Sequence, residues 1–197
     1  MTINNKIFLK LGISCLVAAA GLATSTGAQA HINLVSPPPL MSGHGLDDTA
    51  LKAAPFGAPD VDVAAAKATN FKAGSMIDID LEVYKIHPGE IVIFYTRDFE
   101  GEDVEPTYEL ASIKTPIPYK NLLLQAAAPC SPKVGCVTGT KSDQHFKASV
   151  KLPDIEGDII LVIRQVMRDK MIVDEDNGEV DLSEVYYHQA AKLHLTK

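Results

Sequence analysis

From residue 77 to residue 83 the chain alternates strictly between branched apolar and acidic side chains. The apolar members are Ile77, Ile79, Leu81 and Val83, and the acidic members are Asp78, Asp80 and Glu82. A period of two places the two sets on opposite faces of a β-strand, one facing a core and the other facing water. This segment therefore has to belong to a sheet that is packed on one side.

Four later segments also have strand patterns. Ile91–Tyr95 follows the His87-Pro88-Gly89 turn, and His145 begins a strand on its polar side, opposite Phe146 and Val150. Residues 159–166 are interpreted as an apolar run typical of a core strand. The last strand carries alternate residues on one face: Val185, Tyr187, Gln189, Ala191, Leu193 and Leu195. Short strands punctuated by Pro and Gly predict an all-β protein, an antiparallel β-sandwich of immunoglobulin or fibronectin III type.

Residues 36–75 do not share these patterns. They begin with Pro37-Pro38-Pro39 and continue as a Gly-, Ala- and Pro-rich stretch. We interpret them as a long N-terminal surface loop region. Residues 47–54 are its single candidate helix, placed behind an Asp cap.

Residues 1–30 have the features of a secretory signal peptide. Lys6 and Lys10 precede an apolar run, and Ala28-Gln29-Ala30 is an A-x-A cleavage site. We expect cleavage after Ala30, leaving one domain over residues 31–197 that is secreted or periplasmic. Removing the signal leaves 16 basic against 25 acidic side chains, a formal charge of −9. This negative charge argues against nucleic acid or anionic membranes as partners. We also expect a monomer, and no membrane span in the mature chain, because no second apolar stretch is long enough.

Two cysteines and two acidic clusters remain in the predicted mature chain. In an oxidising compartment, Cys130 and Cys136 are expected to form a local disulfide that closes a Pro- and Gly-containing loop. The acidic residues of 98–105 follow a strand. Those of 174–181 surround Asn177-Gly178 and are interpreted as a solvated hairpin turn rather than a calcium loop.

Cleavage after Ala30 would make His31 the first residue. An N-terminal histidine offers a metal both its α-amine and its ring Nδ1, whereas an internal histidine offers one nitrogen. Our choice for the second histidine ligand is His87. It is predicted to lie at the top of a hairpin, directly before Pro-Gly, where a rigid turn can aim the ring at a fixed point. His145 is the runner-up. His44, His188 and His194 are expected to be surface residues.

Three nitrogens from one amine and two imidazoles favour one copper ion, since this donor set suits Cu(II) and its T-shaped geometry still holds Cu(I). Zinc would prefer a fourth ligand. Tyr187, on the inward face of the last strand, is a candidate axial group, and a core tyrosine is the alternative. Gln189 on the same face is a candidate to support a bound water or oxygen species.

Three of these features together resemble the lytic polysaccharide monooxygenases, above all their bacterial monooxygenase-like relatives. They are His31 after a signal peptide, the strand leading to His87-Pro88-Gly89, and the closing segment 186–193. The resemblance implies a β-sandwich with a mononuclear copper "histidine brace". In it His31 supplies the amine and Nδ1, His87 the second imidazole, and Tyr187 the axial aromatic position. The chain departs from that pattern in lacking Trp and in lacking cysteines near Ala190 and Phe56-Gly57, where relatives often pair them.

Three functions follow as hypotheses. The first is a copper-dependent monooxygenase that attacks glycosidic C–H bonds of a polysaccharide, with Tyr187 and Gln189 beside the metal. The second is a non-catalytic copper-binding or copper-delivery protein with a copper-handling partner, which the acidic, aromatic-poor composition favours. The third is an adhesion or interaction module in which His31 has no metal role.

Overall fold

The predicted strands form two stacked sheets in the computed structural model, which describes residues 32–41, 49–104, 120–129, 141–171 and 185–197. The strands are β1 (Ile32–Ser36), β2 (Thr69–Lys72), β3 (Met76–Lys85), β4 (Gly89–Thr96), β5 (Leu122–Ala127), β6 (Lys141–Lys151), β7 (Gly157–Met167) and β8 (Tyr186–Thr196). Single 3₁₀ turns span Thr49–Lys52, Glu102–Val104 and Arg168–Lys170.

One sheet has the order β1-β3-β6 and the other the order β2-β8-β7-β4-β5. The pairs are antiparallel as predicted, with one exception: β2 runs parallel to β8, with Thr69 opposite Leu193. The predicted strands do not include β1 or β5, and β2 falls within the predicted loop region. These three strands are short edge elements, whose pairing depends on distant partners more than on their own pattern.

The core between the sheets is built by the residues that the alternation assigns to it. Ile77, Ile79, Leu81 and Val83 of β3 are at most 6% exposed and face the inward side chains of the other sheet. That second sheet contributes the odd-numbered residues of β4, β7 and β8, such as Ile93, Leu161 and Leu193. The protein is therefore an all-β sandwich with an immunoglobulin-like architecture.

The long segment after β1 is more than a surface loop. Phe56, Ala58 and Val63 are buried against the outer face of the five-stranded sheet, where they form a second apolar cluster with residues such as Val162. Gly57 permits this close cover, because a Cβ at its φ of +67° would lie 2.2 Å from the carbonyl oxygen of His188. Both faces of β7 and β8 are consequently buried, which explains why residues 159–163 are apolar without alternation.

The candidate helix at 47–54 is reduced to the 3₁₀ turn Thr49–Lys52, residues 42–48 lying outside the described part of the chain. Val185 belongs to the outer cluster, so its predicted place on the face of Tyr187 is wrong. Within the described ranges there is no helix long and apolar enough to cross a membrane.

Candidate metal centre

The described part of the chain begins at Ile32, one residue after His31. Ile32 is fully buried and lies opposite Val83 in the antiparallel β1–β3 pair. Its carbonyl oxygen also accepts a hydrogen bond of 3.4 Å from Gln189 Nε2, on β8 of the opposite sheet. β3 ends at Lys85, two residues before His87. The chain therefore enters β1 at the same end of the sandwich as the His87 turn. His31 itself lies outside the described residues.

His87 occupies the connection between β3 and β4. These strands belong to different sheets, so the predicted hairpin is wrong: the His-Pro-Gly turn carries the chain from one sheet to the other. The His87 side chain is 3% exposed, and its Nδ1 lies 2.8 Å from Asp169 Oδ2. Burial lowers the pKa of His87 below its usual value, and the hydrogen bond to Asp169 opposes that effect. His87 is thus a buried, directed imidazole rather than an exposed turn residue.

The turn is fixed against the end of β7. The backbone N–H of Arg168 donates to the Pro88 carbonyl oxygen at 2.9 Å, and its guanidinium donates to Glu90 at 2.9 Å. Gly89 is required at its position, since a Cβ there would lie 1.8 Å from the carbonyl oxygen of Val166. The sequence analysis expected a rigid turn, and these contacts show what makes it rigid.

Tyr187 and Gln189 both point inward on β8, as predicted. Tyr187 is 1% exposed and packs in the main core, with the Lys52 ammonium 5.6 Å from its ring centroid. Gln189 is 2% exposed and reaches Ile32 through the hydrogen bond described above. A role for either residue beside a metal stays a prediction.

Gln165 is a residue of this region that the sequence analysis missed. It is a residue of β7, opposite Tyr187 of β8 and Ile91 of β4, and its side chain is fully buried. Neither its Nε2 nor its Oε1 meets a hydrogen-bond partner within the described ranges. A buried amide left in this way is costly unless something else satisfies it. The signal was present, because Arg164 and Gln165 interrupt the apolar run of β7.

The other histidines have separate environments. His145 lies on the outer face of the three-stranded sheet, where its Nδ1 donates to Asp80 at 2.5 Å and lowers the pKa of that carboxyl. His194 is partly exposed and donates to Asp158. The surface prediction for His188 is wrong: this residue is 1% exposed, because the Gly57 segment covers the outer face of β8. Its Nδ1 accepts a 3.1 Å hydrogen bond from Arg164 Nε.

Several other acidic side chains accept hydrogen bonds from neighbouring residues. Ser149 donates to Asp78, and Asn33 and Tyr84 both donate to Glu82. Asp98 accepts backbone hydrogen bonds from Glu100 and Asp103, which caps a turn. Among the described residues, no group of three or more His, Cys, Asp or Glu is arranged to hold a metal. His31, His44, Cys130, Cys136 and the acidic residues of 174–181 lie outside those residues.

Comparison with known proteins finds weak similarity to solved structures. A scan against protein-family models and a search of the curated proteins find no match. Among solved structures, a cellulose-active lytic polysaccharide monooxygenase in complex with copper is 14% identical with a TM-score of 0.40, over 75% of this chain and 65% of that chain. A cellulose-active polysaccharide monooxygenase from M. thermophila is 13% identical with a TM-score of 0.40, over 87% and 78%.

A chitin-binding domain from Burkholderia pseudomallei is 12% identical with a TM-score of 0.39, over 68% of this chain and 59% of that one. The chain spans less than two thirds of the length of this domain and of the copper-bound monooxygenase. The sandwich is established by the strand pairing of this chain itself.

Proposed function

We propose that the processed protein binds one copper ion between His31 and His87. The amine and Nδ1 of His31 would provide two ligands and the Nε2 of His87 the third. Tyr187 would be the aromatic side chain beside the metal. The observation that carries the proposal is the arrival of β1 beside the His87 turn: Ile32 pairs with Val83, four residues before His87, and contacts Gln189 across the sandwich.

The residues of this end of the sandwich suit such a site chemically. The Nδ1 of His87 faces Asp169, which leaves Nε2 as the nitrogen that can ligate. Amine and imidazole nitrogens together favour copper over harder cations. Gln165 adds a buried amide, lateral to Tyr187, for which a bound water or metal ligand would be a partner. Bound copper would supply the oxidative chemistry, and the protein would supply the geometry.

Two activities fit this centre. A monooxygenase acting on glycosidic C–H bonds is the function implied by the His31, His-Pro-Gly and closing-strand motifs. A copper-binding or copper-delivery role is favoured by one surface property. None of the nine Phe and Tyr side chains within the described ranges is exposed, and flat polysaccharide surfaces are usually bound through exposed aromatic rings.

We further propose that residues 1–30 direct export and are removed, and that the mature protein is a secreted or periplasmic monomer. Export would place Cys130 and Cys136 in an oxidising compartment where they form their local disulfide. Intact mass measurement of the secreted protein tests both points, since cleavage after Ala30 and the oxidative loss of two hydrogen atoms from the cysteines each change the mass. A mass that retains residues 1–30 would contradict the proposed N-terminal ligand.

The copper site is tested with protein beginning at His31, by Cu(II) titration and EPR spectroscopy. We expect one tight copper with nitrogen hyperfine structure that His87→Ala removes and His145→Ala leaves intact. A variant with one alanine added before His31 keeps both imidazoles but moves the free amine, and should lose the three-nitrogen pattern. Copper binding that survives both changes would refute the site.

Once copper binding is established, a second assay separates the two activities. Copper-loaded protein is incubated with chitin or cellulose and a reductant, and oxidised oligosaccharides are measured. Their release, lost in His87→Ala, identifies a monooxygenase. Stoichiometric copper with no oxidised product, and transfer of that copper to an acceptor chelator, identifies a copper-handling protein.

A further inference from the structure

Asp169 is a mostly buried acidic residue whose carboxylate faces the ring of His87. It lies in the 3₁₀ turn Arg168–Lys170, directly after β7, and its side chain is 18% exposed. Its Oδ2 lies 2.8 Å from Nδ1 of His87, and this is its only ion pair among the described residues. Its Oδ1 is buried and meets no hydrogen-bond partner within the same ranges. The carboxylate therefore serves His87 rather than a wider salt-bridge network.

The contact joins two segments that are each held by the backbone. The N–H of Arg168, next to Asp169, donates to the carbonyl oxygen of Pro88, next to His87. Gly89 lies against Val166 so closely that no Cβ fits between them. Because both neighbours are fixed, the carboxylate meets the ring at a set distance and direction. It is not a contact between two mobile surface side chains.

This geometry determines which ring nitrogen carries the proton. A carboxylate only accepts hydrogen bonds, so the Nδ1 of His87 has to be the donor. In the neutral imidazole the proton then resides on Nδ1, and Nε2 keeps its lone pair. A carboxylate behind a metal-ligating histidine also fixes the ring orientation and makes the ligating nitrogen more basic.

We propose that Asp169 is a positioning residue: it holds the His87 imidazole as the Nδ1–H tautomer and presents Nε2 to the copper ion. The inference rests on the proposed copper site. It adds a residue that touches neither the metal nor a substrate. No local sequence pattern indicates this contact, since Asp169 is 82 residues away from His87 in the chain.

The tautomer is measured first, in metal-free protein with ¹⁵N-labelled histidine at a pH above 8, where His87→Gln identifies the His87 signals. We expect a protonated Nδ1 and an unprotonated Nε2 in the wild type. Asp169→Ala should mix or reverse the two forms. Asp169→Asn keeps the shape and an accepting oxygen, so it should retain the wild-type tautomer. Asp158→Asn, which changes the carboxylate facing His194 near the other end of β7, should leave the His87 signals unchanged.

Copper affinity is then measured by chelator competition on the same proteins. Asp169→Ala should weaken binding by about 10- to 100-fold, Asp169→Asn by less, and Asp158→Asn not at all. An unchanged tautomer together with unchanged copper affinity in Asp169→Ala would overturn the proposal. If Asp169→Ala does not fold, the test uses Asp169→Asn: the opposite tautomer with the wild-type copper affinity would overturn the proposal. If the wild-type protein does not bind copper tightly, the proposed metal centre is overturned, and the metal role of Asp169 with it. The ¹⁵N spectrum of the metal-free protein would still show whether the carboxylate sets the tautomer.

Discussion

The buried pair of Arg164 and His188 makes the stability of the metal-free protein depend on pH. His188 is 1% exposed and Arg164 is fully buried, with the guanidinium 5.1 Å from the ring centroid of Phe94 and 5.7 Å from that of Tyr186. Burial, and secondarily the charge of Arg164, holds the pKa of His188 well below its usual value of 6.5. In the unfolded chain the same histidine titrates near 6.5.

The sign of the effect follows from proton counting. Above the unfolded pKa both states hold a neutral His188, so the full stability is present. As the pH falls below 6.5 the unfolded chain takes up a proton that the native state does not, and the free energy of unfolding decreases. The limiting slope is about 1.4 kcal/mol per pH unit for one proton. For a native His188 that stays neutral over the range, the loss between pH 7.5 and pH 5 is about 2 kcal/mol.

The perturbation is His188→Gln, which removes the titrating ring and keeps an oxygen able to accept from Arg164. The assay is urea unfolding of metal-free protein at half-unit steps from pH 7.5 to pH 5. We expect the wild-type advantage over the variant to shrink by about 2 kcal/mol across this range. His87, whose pKa is also lowered by burial, titrates equally in both proteins and cancels in the difference.

A second variant separates titration from packing. His188→Leu has no acceptor for Arg164 and should be less stable than His188→Gln at every pH, yet the two should share the same pH dependence. Wild-type and His188→Gln free energies that run parallel from pH 7.5 to pH 5 would refute the reasoning, because they would show that His188 is protonated in the native state as readily as in the unfolded one.

Three further outcomes are expected. Gly89→Ala should lower the free energy of unfolding by about 3 kcal/mol or more and weaken copper binding, since its Cβ would lie 1.8 Å from a backbone oxygen. Urea unfolding and EPR titration check this, and an unchanged urea midpoint would contradict it. Leu161→Ala should cost about 3 kcal/mol of unfolding free energy, because this fully buried side chain leaves a cavity between the sheets. His145→Ala should change stability by no more than about 1 kcal/mol, as its partly exposed contact with Asp80 is screened by water, and a larger loss would show that the outer face is coupled to the core.

The alternation in the sequence was sufficient to predict the sandwich and the inward faces of its main strands. Apolar and acidic residues that repeat every two positions can be satisfied in one way, with one face on a core. β3 buries all four of the residues this requires, and β6 buries Val150 and packs Phe146 against the same core. The inward placement of Tyr187 and Gln189 was predicted for the same reason. The Pro-Gly sequence after His87 indicated a rigid turn, because glycine and proline restrict the backbone locally.

Tertiary structure decided everything that depends on which segments meet. The sequence could not show that residues after β1 return to cover the outer face of β8, and this cover is what buries His188 and makes its surface assignment wrong. The sequence also could not show that Asp169 contacts His87 or that Gln165 is buried. Both arrangements arise because β7 pairs with β4 and with β8. Local patterns determine which face of a strand is apolar, whereas the neighbours of a polar side chain are set by pairings between residues far apart in the chain.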